Sequence, residues 1–451
     1  MSGGITLEQL SRYTGEPEER LREWHARGVI GDREGAELST DDVERVRLLQ
    51  LFLRRGIELD AVAEAMRSGQ FDWYLNVPFR DQEGPFYPLA EAAQKAGLSL
   101  DTMQRFRQAM GSTGPDDIVS EQELSLIQGW NVAGKAGVPE DAMVEMIRVY
   151  HDNLSRVAEA EQRIFRFYVQ RRLEAEGASP AQFLAQGQAV ADQLTPLIEP
   201  IIIYFHRRGL TTAAREDIVM TVAEQLGLVK KPESQSEVYL APVFIDISSF
   251  TPLAGAMGDV AAARVLERFS EIVRRAAGSS SGRVVKQIGD AFMLAFPEPR
   301  SAVACALEID AQAAGEPQFP AVRAGIHWGT ALYREGDYVG TNVNIASRLA
   351  DVAERHQVLV SGVVRKESAG VAGVEFVSIG RRRLKGVPEE IEVFEARLSQ
   401  PAPSARLVDP VCGMEMTSAE VAARLTLEGE DRTFCSEDCL RKFVASPERY
   451  T

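Results

Sequence analysis

In the first half of the chain apolar residues recur at three-and-four spacing, and the helices this predicts come in pairs. The stretch TLEQLSRYTGEPEERLREWHARG reads as two short helices parted by a glycine, and LSTDDVERVRLLQLFLRRGIELDAVAEAMR as two more. From residue 151 to about 232 the spacing continues through NLSRVAEAEQRIFRFYVQRRLEAEG, which predicts long helices, and Ser179 with Pro180 offers the next helix a cap and a first-turn proline. The run EPIIIYFHRRG reads as a core helix, with a dimer contact as the alternative. At VKKPESQSE the pattern breaks into polar residues and a proline, which marks a linker. From Val238 short apolar runs (VYLAPVFIDI, RVVKQIGDAFMLAFP, AVRAGIHWG) alternate with amphipathic stretches (AAARVLERFSEIVRRAAG, AVACALEIDAQA), an α/β order.

The helix pairs are a tandem repeat. PLAEAAQKAGLSLDTMQRFRQAMG and VSEQELSLIQGWNVAGKAGVPEDAMVEMIR align with the first two stretches almost without gaps, so Leu7, Gly15, Gly56 and Arg67 match Leu89, Gly97, Gly137 and Arg148. Each copy has the pattern of a helix-turn-helix, and Ser39 and Ser120 stand where N-caps are expected.

At 451 residues the chain exceeds what one core supports, which predicts two to four domains. A net charge of −16 weighs against a protein that binds nucleic acid by bulk electrostatics. The N-terminus MSGGITLEQL lacks a basic segment followed by an apolar core, and the run Ile201 to Phe205 is far too short to span a bilayer, so the expectation is a cytoplasmic protein with no membrane partner. Of the four cysteines, Cys305 sits on an apolar helical pattern and reads as core, while Cys412, Cys435 and Cys439 cluster near the C-terminus and suggest local metal or redox chemistry rather than a disulfide framework.

The first repeat, with LREWHARGVI at its helix-to-wing passage, resembles the winged helix-turn-helix of the MerR family over residues 5 to 69. The helix that this resemblance would present to DNA carries or adjoins Glu16, Glu18, Glu19 and Glu23, which phosphates repel, so DNA contact is disfavoured and an interaction or regulatory module is expected.

Two aspartates end or turn strands in the α/β region: Asp246 in FIDISSFT and Asp290 in KQIGDAFML. Paired carboxylates suit hard cations on a triphosphate, although either alone reads equally as a turn or cap. FIDISSFT, KQIGD and DYVGTNVNIASR occur in the order and spacing of the class III adenylate cyclases, which this stretch resembles over about 160 residues. That resemblance implies two Mg²⁺ or Mn²⁺ per active site on Asp246, Asp290 and the Ile247 carbonyl, and ATP as substrate. It places the adenine-reading pair at Lys286 and Asp337 and the transition-state pair at Asn344 and Arg348. Phe250, Thr251 and Lys385 fall at phosphate contacts. It also implies a homodimer, because the family draws metal ligands from one chain and base and transition-state residues from the other. Ser249 departs from the family's usual glycine, and Thr341-Asn342 replaces its usual acidic residue.

Past SQPAPSAR, the segment DPVCGMEM to LEGEDRTFCSEDCLRKFVASPERY resembles a YHS-type domain. This implies a soft-ion site for Zn²⁺ or Cu⁺ at Cys412, Cys435 and Cys439, with Met414 a weaker candidate, or else an empty reduced fold packed on the cyclase.

The expected fold is multidomain α+β: all-α helix-turn-helix repeats at 1–70 and 85–150, a helical regulatory region at 151–232, a ferredoxin-like α/β cyclase domain at 237–398 and a small Cys-containing domain at 406–451. The expected function is a regulated adenylate cyclase. The rivals are a nucleotide-sensing MerR-like regulator with an inactive cyclase domain and a metal-responsive scaffold without turnover.

Overall fold

A computed structural model describes residues 4–31, 38–39, 41–67, 85–112, 118–227, 231, 234, 237–399, 406–427 and 429–450. The chain divides into two compact units, 1–229 and 230–451. Most of the predicted linker VKKPESQSE lies outside the described residues.

The first unit opens with the two repeats. Copy one holds α1 (Leu7–Thr14), α2 (Glu18–Ala26), α3 (Asp41–Arg54) and α4 (Leu59–Arg67). Copy two holds α5 (Leu89–Ala96), α6 (Leu100–Ala109) and α7 (Glu121–Lys135), and ends in the start of α8 (Glu140–Phe165). The matched glycines do the same work: Gly15 and Gly97 close α1 and α5 in the left-handed region, and Gly56 and Gly137 turn the chain after α3 and α7 with φ of 78° and 95°. A bridge between Ile5 and Leu38 has its counterpart in the pairing of β1 (Phe86–Pro88) with β2 (Ile118–Ser120). Each copy has its own core, around Leu21, Trp24 and Val46 in one and Met103, Phe106 and Ile127 in the other.

Ser120 caps α7 in a box with Glu123, as expected. Ser39 instead stands two positions before α3, where its N–H and hydroxyl donate to Asp42 Oδ2. Glu16 is buried rather than presented, accepting from Gln50 Nε2 at 2.9 Å and pairing with Arg20.

Beyond the repeats, α8 continues through a π-helical turn at Arg166–Gln170 into α9 (Arg171–Ala175). The 46-residue α10 (Pro180–Gln225) follows, capped by Ser179 and Gln182 and carrying Pro196 and Pro200 inside it. The core reading of its IIIYF run fails: Ile201, Tyr204 and Phe205 are 49%, 58% and 63% exposed. Periodicity identifies an apolar face and is silent on what covers it. Among the described residues no helix is long and apolar enough to cross a membrane.

The second unit is built on a nine-stranded sheet. At its centre β3 (Glu237–Ile247), α12 (Asp259–Ser279), β4 (Arg283–Ile288), β5 (Ala291–Phe296), α13 (Pro299–Gly315) and β7 (Val322–Ile326) form a βαββαβ unit with strand order β4-β5-β3-β7, the ferredoxin-like arrangement. The short α11 (Phe250–Met257) lies between β3 and α12. Strand β10 (Gln357–Ser361) adds parallel to β7 and leads into the short α15 (Gly362–Glu367), and β12 (Ile391–Leu398) and β11 (Val374–Arg382) complete that side. Strands β8 (Gly329–Arg334) and β9 (Asp337–Val339) form a hairpin on the early part of β3, and α14 (Thr341–Val352) follows. Phe269, Phe292, Leu294, Val303 and Ile326 fill the core between sheet and helices.

The cysteine segment does not stand apart as a small domain with its own core. Its β14 (Met414–Met416) pairs with β13 (Leu407–Val408) on one side and, on the other, with β6 (Phe319–Pro320) from the middle of the sheet unit. Cys412, Met414, Phe434 and Phe443 belong to the same apolar cluster as Phe269 and Ile326. The β15 (Ala423–Leu427) and β16 (Glu430–Phe434) hairpin and α16 (Glu437–Ala445) complete it.

Candidate active site

Asp246 occupies the penultimate position of β3, directly across from Arg323 on β7. The guanidinium grips both carboxylate oxygens, Nε to Oδ1 at 2.8 Å and a terminal nitrogen to Oδ2 at 3.0 Å, and also donates to the Asp351 carbonyl at 3.0 Å. Asp290 sits in the turn between β4 and β5, after Gly289, and β5 runs beside β3. Burial pushes both carboxyls above the ordinary range; Asp290 adds to the rise at Asp246, while Arg323 opposes it. Two half-buried carboxylates, the charge of one raising the other's cost of ionisation, with one guanidinium bound to Asp246, are a donor set that a divalent cation would relieve.

Lys286 on β4 and Asp337 at the start of β9 form an ion pair across 51 positions of sequence. Asp337 also accepts from the Tyr338 N–H at 2.8 Å. The pair is about one-third exposed, so in the free chain each partner satisfies the other at little cost.

The loop from Ile247 to Thr251 follows Asp246 directly. Ile247 ends β3, and the Ser248 N–H donates to the Ala321 carbonyl at 2.8 Å while its hydroxyl is buried without a partner among the described residues. Ser249 takes φ of 65°, the left-handed region, which costs a side-chain-bearing residue about 1–2 kcal/mol. The glycine expected there from the family resemblance therefore has a physical reason, and serine occupies the position under strain. Phe250 packs on the core and Thr251 is exposed at the first turn of α11.

Helix α14 lies so close on β7 that a Cβ at Gly325 would stand 2.2 Å from the Ala350 nitrogen. It presents Asn344, exposed, and Arg348, which pairs with Asp351 at 2.5 Å. No hydrogen bond or ion pair joins Asn344 or Arg348 to Asp246, Asp290, Lys286 or Asp337 among the described residues. Asn342, at the departure position, is an internal strut: it accepts from His327 Nε2 at 3.0 Å and donates to the Thr330 carbonyl at 2.8 Å. Burial lowers the His327 pKa, and its Nδ1 meets the Ser361 hydroxyl at 2.7 Å. Lys385 is exposed in the turn after β11.

Sequence reasoning passed over Arg323 and Ser248. A lone arginine on the strand AVRAGIH was the available signal, because a charge on a buried strand demands a partner.

In the C-terminal segment the three predicted cysteines meet, Cys412 Sγ at 3.5 Å from Cys435 Sγ and Cys435 Sγ at 3.7 Å from Cys439 Sγ. Asp409, which sequence reading omitted, joins them, with all four ligand atoms within 4.8 Å of one another. Hydrogen bonds from Cys412 and Cys435 hold Cys439, in the first turn of α16, far down toward thiolate. Met414 is buried in the core. Cys305 is also core, its thiol pushed up to about 12 by burial.

The family model of the adenylate and guanylate cyclase catalytic domain matches residues 232–395, and that of an adenylate cyclase regulatory domain matches residues 26–208. An uncharacterized protein of Mycobacterium tuberculosis is 30% identical over 325 residues, 71% of this chain and 83% of that protein. A pH-sensitive adenylate cyclase of the same species is 27% identical over 395 residues, 82% of this chain and 91% of its own length. Among solved structures, an adenylyl cyclase from P. aeruginosa aligns at 20% identity and a TM-score of 0.33, covering 37% of this chain and 98% of that one.

Proposed function

The chain belongs to the adenylate and guanylate cyclase family, and from that membership we propose that it converts ATP to 3′,5′-cyclic AMP and pyrophosphate at sites shared between two copies of itself. Family supplies the reaction class; the Lys286–Asp337 pair carries the choice of base. Adenine offers an acceptor at N1 and a donor at its 6-amino group, which an ammonium and a carboxylate match one each. Guanine reverses both edges, and a site left with unpaired polar groups rejects the wrong base strongly. Binding adenine exchanges an ion pair about one-third exposed for two directed hydrogen bonds, a cheap exchange.

Asp246, Asp290 and the Ile247 carbonyl would hold two Mg²⁺ or Mn²⁺, which supply an acidified ribose 3′-hydroxyl and a neutralised triphosphate. Arg323 acts as a positioning residue by fixing the Asp246 carboxylate. Asn344 orients the ribose. The bond from the 3′-oxygen to the α-phosphorus forms as the bond to pyrophosphate breaks, and the hydroxyl proton passes to solvent. Arg348 leaves Asp351 and donates to the oxygens of the five-coordinate phosphorus, where preorganised donors act most strongly. The Phe250 and Thr251 amides and Lys385 face the remaining phosphates.

Family membership, together with the lack of any hydrogen bond or ion pair from Asn344 or Arg348 to Asp246 or Asp290 among the described residues, supports a homodimer with two complete sites. The regulatory-domain match over 26–208 supports control by the N-terminal unit, whose first repeat we read as a MerR-like fold used for interaction rather than DNA. The cysteine segment is read as a YHS-type module that adds a second level of control.

The test is cyclic nucleotide formation by the full chain with Mn²⁺ or Mg²⁺, ATP against GTP, wild type against Asp290→Ala. Conversion of ATP alone, lost in the variant, is expected. Binding of ATP without turnover would replace this reading with nucleotide sensing.

A further inference from the structure

We propose that Asp409, Cys412, Cys435 and Cys439 form a four-ligand Zn²⁺ site whose filling fixes the loop and helix that follow the first catalytic aspartate. This deepens the regulatory reading above and rests on it. The sulfur spacings of 3.5 and 3.7 Å match the edges of a tetrahedron whose Zn–S bonds are about 2.3 Å. They are far outside the roughly 2.05 Å of a disulfide. Asp409, Cys412 and Cys439 are buried at 0%, 0% and 2% exposure. Asp409 is aimed by the Val411 and Cys435 amides, each at 2.8 Å, and no Lys, Arg or His pairs with it among the described residues. A buried carboxylate beside three thiols, without a cation of its own, is completed by a metal ion. A hard oxygen among the sulfurs favours Zn²⁺ over Cu⁺.

The ligand-bearing segments are also the ones that hold α11. Gly413, next to Cys412, has φ of 72°, and a Cβ there would stand 3.1 Å from the Ser249 Cβ and 3.3 Å from an Arg355 nitrogen. The Gly413 carbonyl accepts from Arg355 at 2.8 Å. Lys442, one turn beyond Cys439 on α16, donates to the Gly255 and Ala256 carbonyls in the last turn of α11, at 3.4 and 2.5 Å. One ligand segment therefore abuts the start of α11 and another caps its end. Five non-glycine residues have positive φ among the described residues, and three of them border this seam: Ser249, Gln318 just before β6, and His356, which contacts Glu415. Joining Cys412 to Cys439 through one ion fixes the separation of the two grips, and with it the loop between Asp246 and Phe250.

The test uses the reduced, metal-free full chain with Co²⁺ as probe and Zn²⁺ as competitor. Wild type is expected to give a thiolate-to-cobalt charge-transfer band at one equivalent, displaced by Zn²⁺. Cys435→Ser should lose the band, and Asp409→Asn should weaken binding by about tenfold or more. Zn²⁺ should slow amide exchange across 249–257, and exposed-site variant Lys442→Met should keep the band while losing that slowing. Neither readout needs turnover, so a failure of ATP conversion leaves this test intact. No band in folded wild type, Asp409→Asn with unchanged affinity, or a band without slower exchange at 249–257 each overturns the proposal.

Discussion

The two units solve the problem of burial in opposite ways. In the sheet unit Phe269, Phe292, Phe296 and Phe319 are at most 1% exposed, and even the C-terminal segment adds its aromatics to the same core. In the N-terminal unit the two repeats are packed, but beyond them none of the described side chains of α10 is buried. This helix also carries two internal prolines, each costing about 3 kcal/mol or more in a helix interior. A helix of that composition draws its stability from a covered face rather than from propensity. The sheet unit is complete in its core, and on the reading proposed above its chemistry is divided between chains, whereas the described side chains of α10 leave an apolar face open. The proposed homodimer would answer both shortfalls.

The sharpest way to break this comparison is through the chemistry. Arg348→Ala should lower turnover by about 10²–10³-fold, the loss of one transition-state donor. Mixing it with inactive Asp290→Ala should restore activity, because one of the two mixed sites is intact; a dead mixture would place each site within a single chain. Next in size, Phe205→Asp on α10 should raise the dimer dissociation constant by about tenfold or more, roughly 1.4 kcal/mol, in sedimentation experiments. Val260→Asp, at a still more exposed apolar position of the sheet unit, should leave it unchanged.

A pH titration sharpens the contrast from within the sheet unit. Burial lowers the His356 pKa, but its bonds to Asp310 and Glu415 outweigh this and raise it from 6.5 to about 9. Its contribution to the seam is thus fully present below pH 6.5 and is lost as pH rises through about 9. Glu415 is buried, yet His356 and Arg355 hold it below 4.5, so its share is present above that value and lost as pH falls through the lowered pKa. Amide exchange at Met414–Met416, corrected for its intrinsic pH dependence, should accelerate several-fold between pH 7 and 10, and His356→Gln should remove the step. The smallest expected effect is Ser249→Gly. Relief of the left-handed strain, less the entropy of a new glycine, should leave about 0.5 kcal/mol of added stability, a rise of about 1–2 °C in Tm. A fall would mean that the Ser249 side chain contributes more to the seam than its backbone costs.

Local signals made much of this legible. The matched glycines of the repeat end helices in both copies, and the boxes at Ser120 and Ser179 form as their spacing indicates, because caps and turns are decided within a few residues. Asp246, Asp290, Lys286 and Asp337 stood out through motif spacing, and the sheet brings them together in two pairs. Arg323 did not, since its partner lies 77 positions away and only strand pairing joins them. Asp409 was missed among the cysteines because an aspartate before proline reads as a turn residue. The IIIYF run was misread as core because apolar spacing is the same for a face buried within a chain and one left for a partner.

The pairing of β6 with β14 has a consequence for the order in which the molecule is made. Pro320 emerges during synthesis long before its partner Met414, so the nascent sheet unit must hold Phe319 and an open strand edge without cover until the cysteine segment arrives. Contacts so distant in sequence form late and leave intermediates prone to association. Arrival of β14, rather than closure of the central βαββαβ unit, is then the moment at which the sheet unit passes from an association-prone intermediate to a covered fold.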